Sequence, residues 1–308
     1  MSRRGPAVPR APGAGLLACL VVAAVVAGTA RAADGVDTIE RSLTIGGAPQ
    51  VTISHVSGSI RVTGHAAPTM ILRATRRVGS GDVSRSLKRV EVLVEAQTGE
   101  AVIRVAHAGV SEWEELKSLS RQGQLDDVSV ELALQVPVGA SLDLASVSGE
   151  VSVEGVDGGL AISSVSSAIT LRRVSGGVKI NTIGGKVDIL GLAGGLSAQS
   201  VNGPIRGRVV RGSCVLDTVT GAVELALEPR EHVAVRVSSM SGPVALELPE
   251  RSAASLDLWT SSGAISGDFL SPVPPGQQRV KARIGRDGPD IAIRTVSGPI
   301  SVVKQRAP

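Results

Sequence analysis

Aromatic residues are almost missing from this chain: there is no Tyr, Phe269 is the one Phe, and Trp113 and Trp259 are the two Trp among 308 residues. A surface that stacks nucleic-acid bases needs such rings and a basic stripe beside them. Cysteine is as scarce, with Cys19 and Cys214 only. The four histidines, His55, His65, His107 and His232, show no metal-ligand spacing. No GxSxG, HExxH, phosphate-loop or dinucleotide fingerprint occurs. These absences argue against a nucleic-acid binder, a metal site and the common hydrolase and nucleotide chemistries. They predict no catalytic, cofactor-binding or metal-binding residues and no cofactor.

The first residues make up a leader. Arg3, Arg4 and Arg10 precede the apolar run "AGLLACLVVAAVVAG", Ala14–Gly28, and "ARA" closes it at Ala32. A basic start, an apolar stretch and a small-x-small site form a secretory signal peptide, expected over residues 1–32. The run is shorter than the roughly 20 residues of a membrane span. "LLAC" resembles a lipoprotein box, but apolar sequence continues past Cys19 to Gly28. "SRRG" lacks the apolar residue of a twin-arginine signal. The leader holds four of the 32 basic residues and no acid, which leaves 28 basic against 28 acidic ones. The net charge of +4 therefore belongs to the leader. Only Cys214 remains after cleavage, so no internal disulfide is expected, and a chain this long can bury a core without one. No other run of 18 apolar residues occurs, so no transmembrane segment is expected in the mature chain. The expected location is exported: periplasmic, cell-surface or extracellular.

What the chain has in abundance is a phrase. A Gly ends it at Gly149, Gly158, Gly176, Gly185, Gly194, Gly203, Gly212 and Gly221, with Ser167 in the one gap, always nine residues apart. Two places before stand Val147, Val156, Val165, Val174, Ile183, Leu192, Val201, Val210 and Val219. Apolar residues recur two and four places after, with Gly207 as a hole. This alternation turns one face of a strand inward, and the Gly marks a corner with positive φ or close backbone approach. All three apolar positions are expected to face the core. Alternate phrases open with Ser or Thr: "SVSG", "SVSS", "TIGG", "SVNG", "TVTG". The true unit is therefore about 18 residues, a coil of two strands, and the fold class is an all-β β-solenoid.

The phrase loosens to 21 residues at Gly242 and Gly263 and to 35 at Gly298, with an extra strand expected near Val280–Ile284. An early copy, "HVSGSIRV", lies at His55–Val62. Otherwise residues 33–140 read as longer, antiparallel strands, with "SEWEELKSLSRQGQ", Ser111–Gln124, as a helix or loop. The expected organisation is a signal over 1–32, an N-terminal β-rich capping region over 33–140 and the repeat region over 141–308.

A nine-residue period is shared with the calcium-binding RTX repeat, whose Asp recurs at one phase. Asp157, Asp188 and Asp217 fall at three different phases, so no ligand ladder is expected. Glu150, Lys179, Lys186 and Asp188 are expected outward, as surface salt bridges rather than a site. Cys214 takes a Val place and is expected to be a small buried hydrophobe.

"SVSGEVSVEG", "RVSGGVKI", "TVTGAVELAL" and "TVSGPISVV", behind a signal peptide, resemble the bacterial family of adhesin-like β-strand repeat proteins, a domain of unknown function. The likeness spans roughly residues 50–62 and 141–303. It implies an exported, envelope-associated β-solenoid with no catalytic residues to carry over. The expected function is a non-catalytic, adhesin-like binding or scaffold surface at the bacterial cell envelope. Its expected partner is an envelope protein or a second copy, by strand addition. A carbohydrate-active or sugar-binding β-helix, with Trp113 or Trp259 in a groove, is the alternative, and glycan stays open as a ligand. An envelope-stress sensing module is the second alternative. The binding residues themselves are unknown at this stage.

Overall fold

The computed structural model describes residues 36–79, 86–87, 89–107, 128–209, 211–227, 234–286 and 288–305. The expected signal, Ser111–Gln124 with Trp113, Val210 and His232 lie outside them. The described strands hydrogen-bond into one continuous sheet that goes round an apolar axis, as the solenoid reading requires.

The first strands are β1 (Val36–Thr44), β2 (Gln50–His65), β3 (Thr69–Val78), β4 (Val90–Gln97), β5 (Glu100–His107) and β6 (Val128–Pro137). Three pairings are antiparallel: β1 with β3, β3 with β6, and β4 with β5. Strand β2 behaves differently. Its first half runs parallel to β5 and its second half parallel to β6. Its other edge runs parallel to β7 (Ser141–Glu154) along both halves. The early phrase at His55–Val62 thus belongs to a coil, formed by β2 and stacked on the repeat that begins some ninety residues later.

The repeat continues as β8 (Leu160–Val174), β9 (Val178–Thr182), β10 (Val187–Leu192), β11 (Leu196–Ser200), β12 (Ile205–Val209), β13 (Cys214–Thr218), β14 (Val223–Leu227), β15 (Val235–Ser239) and β16 (Val244–Leu248). These strands form two faces. The first halves of β7 and β8, then β9, β11, β13 and β15, make the first face. The second halves, then β10, β12, β14 and β16, make the second. Residues stack 18 apart: Val178 on Leu196 on Cys214, and Ile169 on Val187 on Ile205 on Val223. The step rises to 21 at Cys214 and Val235. The residues two and four places after each Gly are buried, from Val151 and Val153 to Val223 and Leu225. At Gly207 the hole is filled from the next coil, since Leu225 Cδ2 lies 3.0 Å from the place of a Cβ.

The last strands are β17 (Ala254–Thr260), β18 (Ile265–Gly267), β19 (Arg279–Ile284), β20 (Asp290–Thr295) and β21 (Ile300–Lys304). The expected strand near residues 280–284 is β19, antiparallel to β17. The stacking order departs from the chain order here. Strand β20 lies between β15 and β17, and β21 lies between β16 and β18. The chain leaves one level vacant, builds the next, turns back through β19, and fills the vacancy with its last coil.

Candidate functional site

The four residues of the corner "[ST]-V-[ST]-G" each have a place. The first hydroxyl turns inward and is buried, at Ser146, Ser164, Thr182, Ser200, Thr218 and Ser239. It closes the corner. Ser200 Oγ accepts from the Gly203 N–H at 3.0 Å and donates to the Gly203 carbonyl at 3.0 Å. Ser239 does the same at Gly242, at 3.0 and 3.1 Å. A buried hydroxyl satisfied in this way carries little desolvation cost. The third residue bridges coils. Thr220 Oγ1 donates to the Val201 carbonyl at 3.2 Å, Ser241 Oγ to that of Val219 at 3.2 Å, and Ser297 Oγ to that of Met240 at 3.3 Å. The Gly lets the corners touch. A Cβ on Gly203 would strike the Gly185 carbonyl oxygen, and one on Gly221 that of Gly203.

The second residue is left over, and from Ile183 onward it faces water. Ile183, Val201, Val219, Met240 and Val296 form a column along one corner, with Ile183 46%, Met240 56% and Val296 50% exposed. This corrects the expectation that all nine pre-Gly residues face the core. Val147, Val156, Val174 and Leu192 do. Ile183, Val201 and Val219 do not: at their corners the Ser or Thr one residue earlier takes the inward place, whereas at the corner of Ser146 and Val147 both residues are buried. Beside the column run the outward polar residues Ser163, Asn181, Gln199, Asp217 and Ser238, and the groove between has a volume of about 640 Å³. Successive coils repeat the pattern at the inter-strand spacing, about 4.8 Å. Sequence reasoning missed this column. Its signal was present in the 18-residue alternation, since only the Ser/Thr-led phrases turn the apolar residue outward.

The other sequence candidates are placed apart. Lys186 and Asp188 form an ion pair at 2.6 Å on the second face, whereas Lys179 lies on the first. Glu150 stands two coils from Lys186. Asp157 accepts from Ser175 Oγ at 2.8 Å at a corner, Asp188 is on the second face and Asp217 borders the groove. No group of three or more His, Cys, Asp or Glu is gathered to hold a metal ion among the described residues. Cys214 is buried, and burial pushes its thiol up to about 12, so it stays protonated at neutral pH. His55 belongs to the early coil, paired with Ser146. It takes the inward Ser/Thr place of its phrase, and its Nε2–H donates to the Val130 carbonyl at 2.7 Å. His65 pins a turn, accepting from the Ala67 N–H at 3.1 Å and donating to the Thr69 carbonyl at 2.8 Å. Trp259 is exposed on the first face, two strands beyond Ser238 of the groove lining. No helix among the described residues is long and apolar enough to cross a membrane.

A model of one protein family, Toastrack DUF4097, matches residues 50–303. The chain belongs to the Toastrack DUF4097 family. The match starts at the first residue of β2, so the Toastrack unit includes the early coil as well as the repeat. Three solved structures are similar to this Toastrack chain. A candidate cell adhesion protein from Clostridium sporogenes is 10% identical, covers 87% of this chain and 100% of its own, and has a TM-score of 0.27. A candidate adhesin from Bacteroides fragilis is 6% identical, with 86% and 97% covered and a TM-score of 0.32. Another from Parabacteroides merdae is 9% identical, with 87% and 96% covered and a TM-score of 0.31. No curated protein matches the chain.

Proposed function

We propose that this Toastrack protein is an exported, non-catalytic β-solenoid that offers an adhesin-like binding surface to a protein of the bacterial cell envelope. The exposed corner column is that surface. One observation carries the reading. Three of the four corner residues build the fold, and the remaining one is apolar and turned to water at Ile183, Val201, Val219, Met240 and Val296. Contiguous apolar surface facing solvent marks an interaction site far more often than scattered single residues do. Its flanking Ser, Asn and Gln side chains supply the polar rim that such interfaces use. Among the described residues, Asp217 is the one ionisable residue lining the groove. Sugar-bond hydrolysis uses two carboxylates, so this groove suits binding better than that catalysis. The basic, apolar and small-x-small layout of residues 1–32 supports export.

The test uses the purified protein as bait against the source cell's envelope, split into protein, peptidoglycan and glycan fractions. The expected result is saturable retention of one envelope protein, weakened about tenfold or more by Val201→Asp with Met240→Asp, because a carboxylate cannot be buried unpaired in an apolar interface. Both side chains are exposed, so the thermal melt should stay close to that of the unchanged protein. Equal retention by the double variant, or release of shortened glycan by either protein, would overturn the reading.

A further inference from the structure

The first face changes character toward its C-terminal end. On the first half of β8 and on β9, β11 and β13, Lys179 and Asp217 are the only charged outward residues. The next four strands in the stack, β15, β20, β17 and β19, expose Arg236, Arg294, Arg279, Lys281 and Arg283 on that face. Two carboxylates, Asp257 and Asp290, accompany them. The register puts Arg294, Trp259 and Arg279 side by side in one row across β20, β17 and β19. In the next row Arg236, Ala292, Asp257 and Lys281 follow one another.

Asp257 is already taken. Arg279 donates to it from Nε at 2.9 Å and from Nη2 at 2.8 Å. That hydrogen bonding, with the positive field of Lys281 and Arg294, holds the Asp257 carboxyl below its ordinary range. Arg236, Lys281, Arg283 and Arg294 make no ion pair or hydrogen bond among the described residues. Lys281 and Arg283 border a hollow of about 500 Å³ that also includes Ser255 and Asp290. Trp259, 37% exposed, is the aromatic side chain between two arginines.

We infer that this end of the first face binds an acidic polysaccharide, a linear chain of sugars that carry carboxylates. Guanidinium groups match carboxylates in a two-pronged geometry. An exposed indole offers the apolar face of a sugar ring a flat surface while its N–H stays wet. The cations stand on β15, β20 and β19, with Trp259 on the intervening β17, so an extended polyanion laid across strands about 4.8 Å apart meets a cation on three of the four. A single Trp cannot stack successive bases, which sets this patch apart from a single-stranded nucleic-acid groove. The site continues the outward row of the groove, since Ser238 pairs with Arg294 and Arg294 with Trp259, but it rests on these charged residues and the indole rather than on the apolar corner column.

The test measures binding of the purified protein to immobilised polygalacturonate, neutral dextran, single-stranded oligodeoxythymidine and phosphatidylglycerol vesicles. Polygalacturonate should be bound best, and its affinity should fall steeply as salt rises, since exposed charges are screened within about 10 Å at 0.1 M. Arg294→Gln with Lys281→Gln should weaken it about tenfold or more, and Trp259→Ala about threefold or more. Lys179→Gln, on the same face but remote, should change nothing. Comparable melts of all variants separate binding from folding. The inference is overturned by absent or salt-independent binding, by equal affinity for dextran, or by tighter binding to the oligonucleotide or the vesicles. It is also overturned if either the double variant or Trp259→Ala binds as the unchanged protein does.

Discussion

Cys214 shows what a single side chain does inside a coil this narrow. It stacks between Leu196 and Val235 in an inward row and touches no water. Its thiol ionises near 12 rather than at the ordinary 9.0, because burial penalises the thiolate. The folded state therefore keeps a proton that the unfolded chain gives up above about pH 9. Stability from this group is complete below that pH and drains away as pH rises toward 12. Alkaline denaturation should check it: Cys214→Val should lose less stability than the unchanged protein between pH 9 and 12. Iodoacetamide should label Cys214 only after unfolding, and rapid labelling of the native protein would contradict the burial. The Val-like role of Cys214 was legible because every neighbour in its row is apolar. The role of His55 was not. The phrase "HVSG" marked an early copy of the repeat, but only its register with "SVSG" puts His55 in the inward place of Ser146.

At the scale of strand and corner, alternation revealed most of the architecture. Positions two and four after each Gly were read as inward and are inward. The Gly was read as the corner, with two physical reasons left open. Stacking decides between them for most corners. Gly149, Gly185 and Gly212 have positive φ, but Gly203 and Gly221 do not, and they are required because corners meet backbone to backbone. Gly203→Ala should therefore cost about 1–3 kcal/mol, the usual penalty of overpacking. Gly177→Ala, where a Cβ meets nothing within 4 Å, should be neutral or stabilise by up to about 1 kcal/mol. Urea melts of the two variants check this, and equal effects would sink the stacking account. The misread element is the Val of "TVTG". Hydrophobicity alone ranks Val219 as core and Thr218 as surface, and the structure reverses them. The corner hydroxyl finds both its partners on Gly221, so burying Thr218 is cheap, and the strand's two-residue period then turns Val219 out. No count of apolar residues contains that information. It depends on a hydrogen bond that exists only once the corner is formed.

Across the whole molecule, the solenoid and its 18-residue coil could be read from spacing, but the order of its levels could not. Every phrase offers the same inward Val or Ile and the same corner Gly, so one coil fits on another almost regardless of sequence. Val235 and Leu256 both pair with Ile291, one on each side. They are 21 residues apart, the same step that separates Cys214 from Val235. Strand β17 is therefore in register to stack on β15 directly whenever β20 is missing. A chain ended after residue 289 should still fold, with a lower melting temperature and with β15 amides protected from hydrogen exchange by β17. Loss of protection throughout β13 and β15 would show instead that the inserted coil is required to hold the stack.

The insertion also determines how the molecule would bear a pull. A terminal strand on the outside of a sheet can be peeled away, one hydrogen bond after another, by modest tension. Strands β20 and β21 each have a neighbour on both sides. Tension applied beyond Lys304 reaches an interior rung first, and two ladders must give way together before the strand slides free.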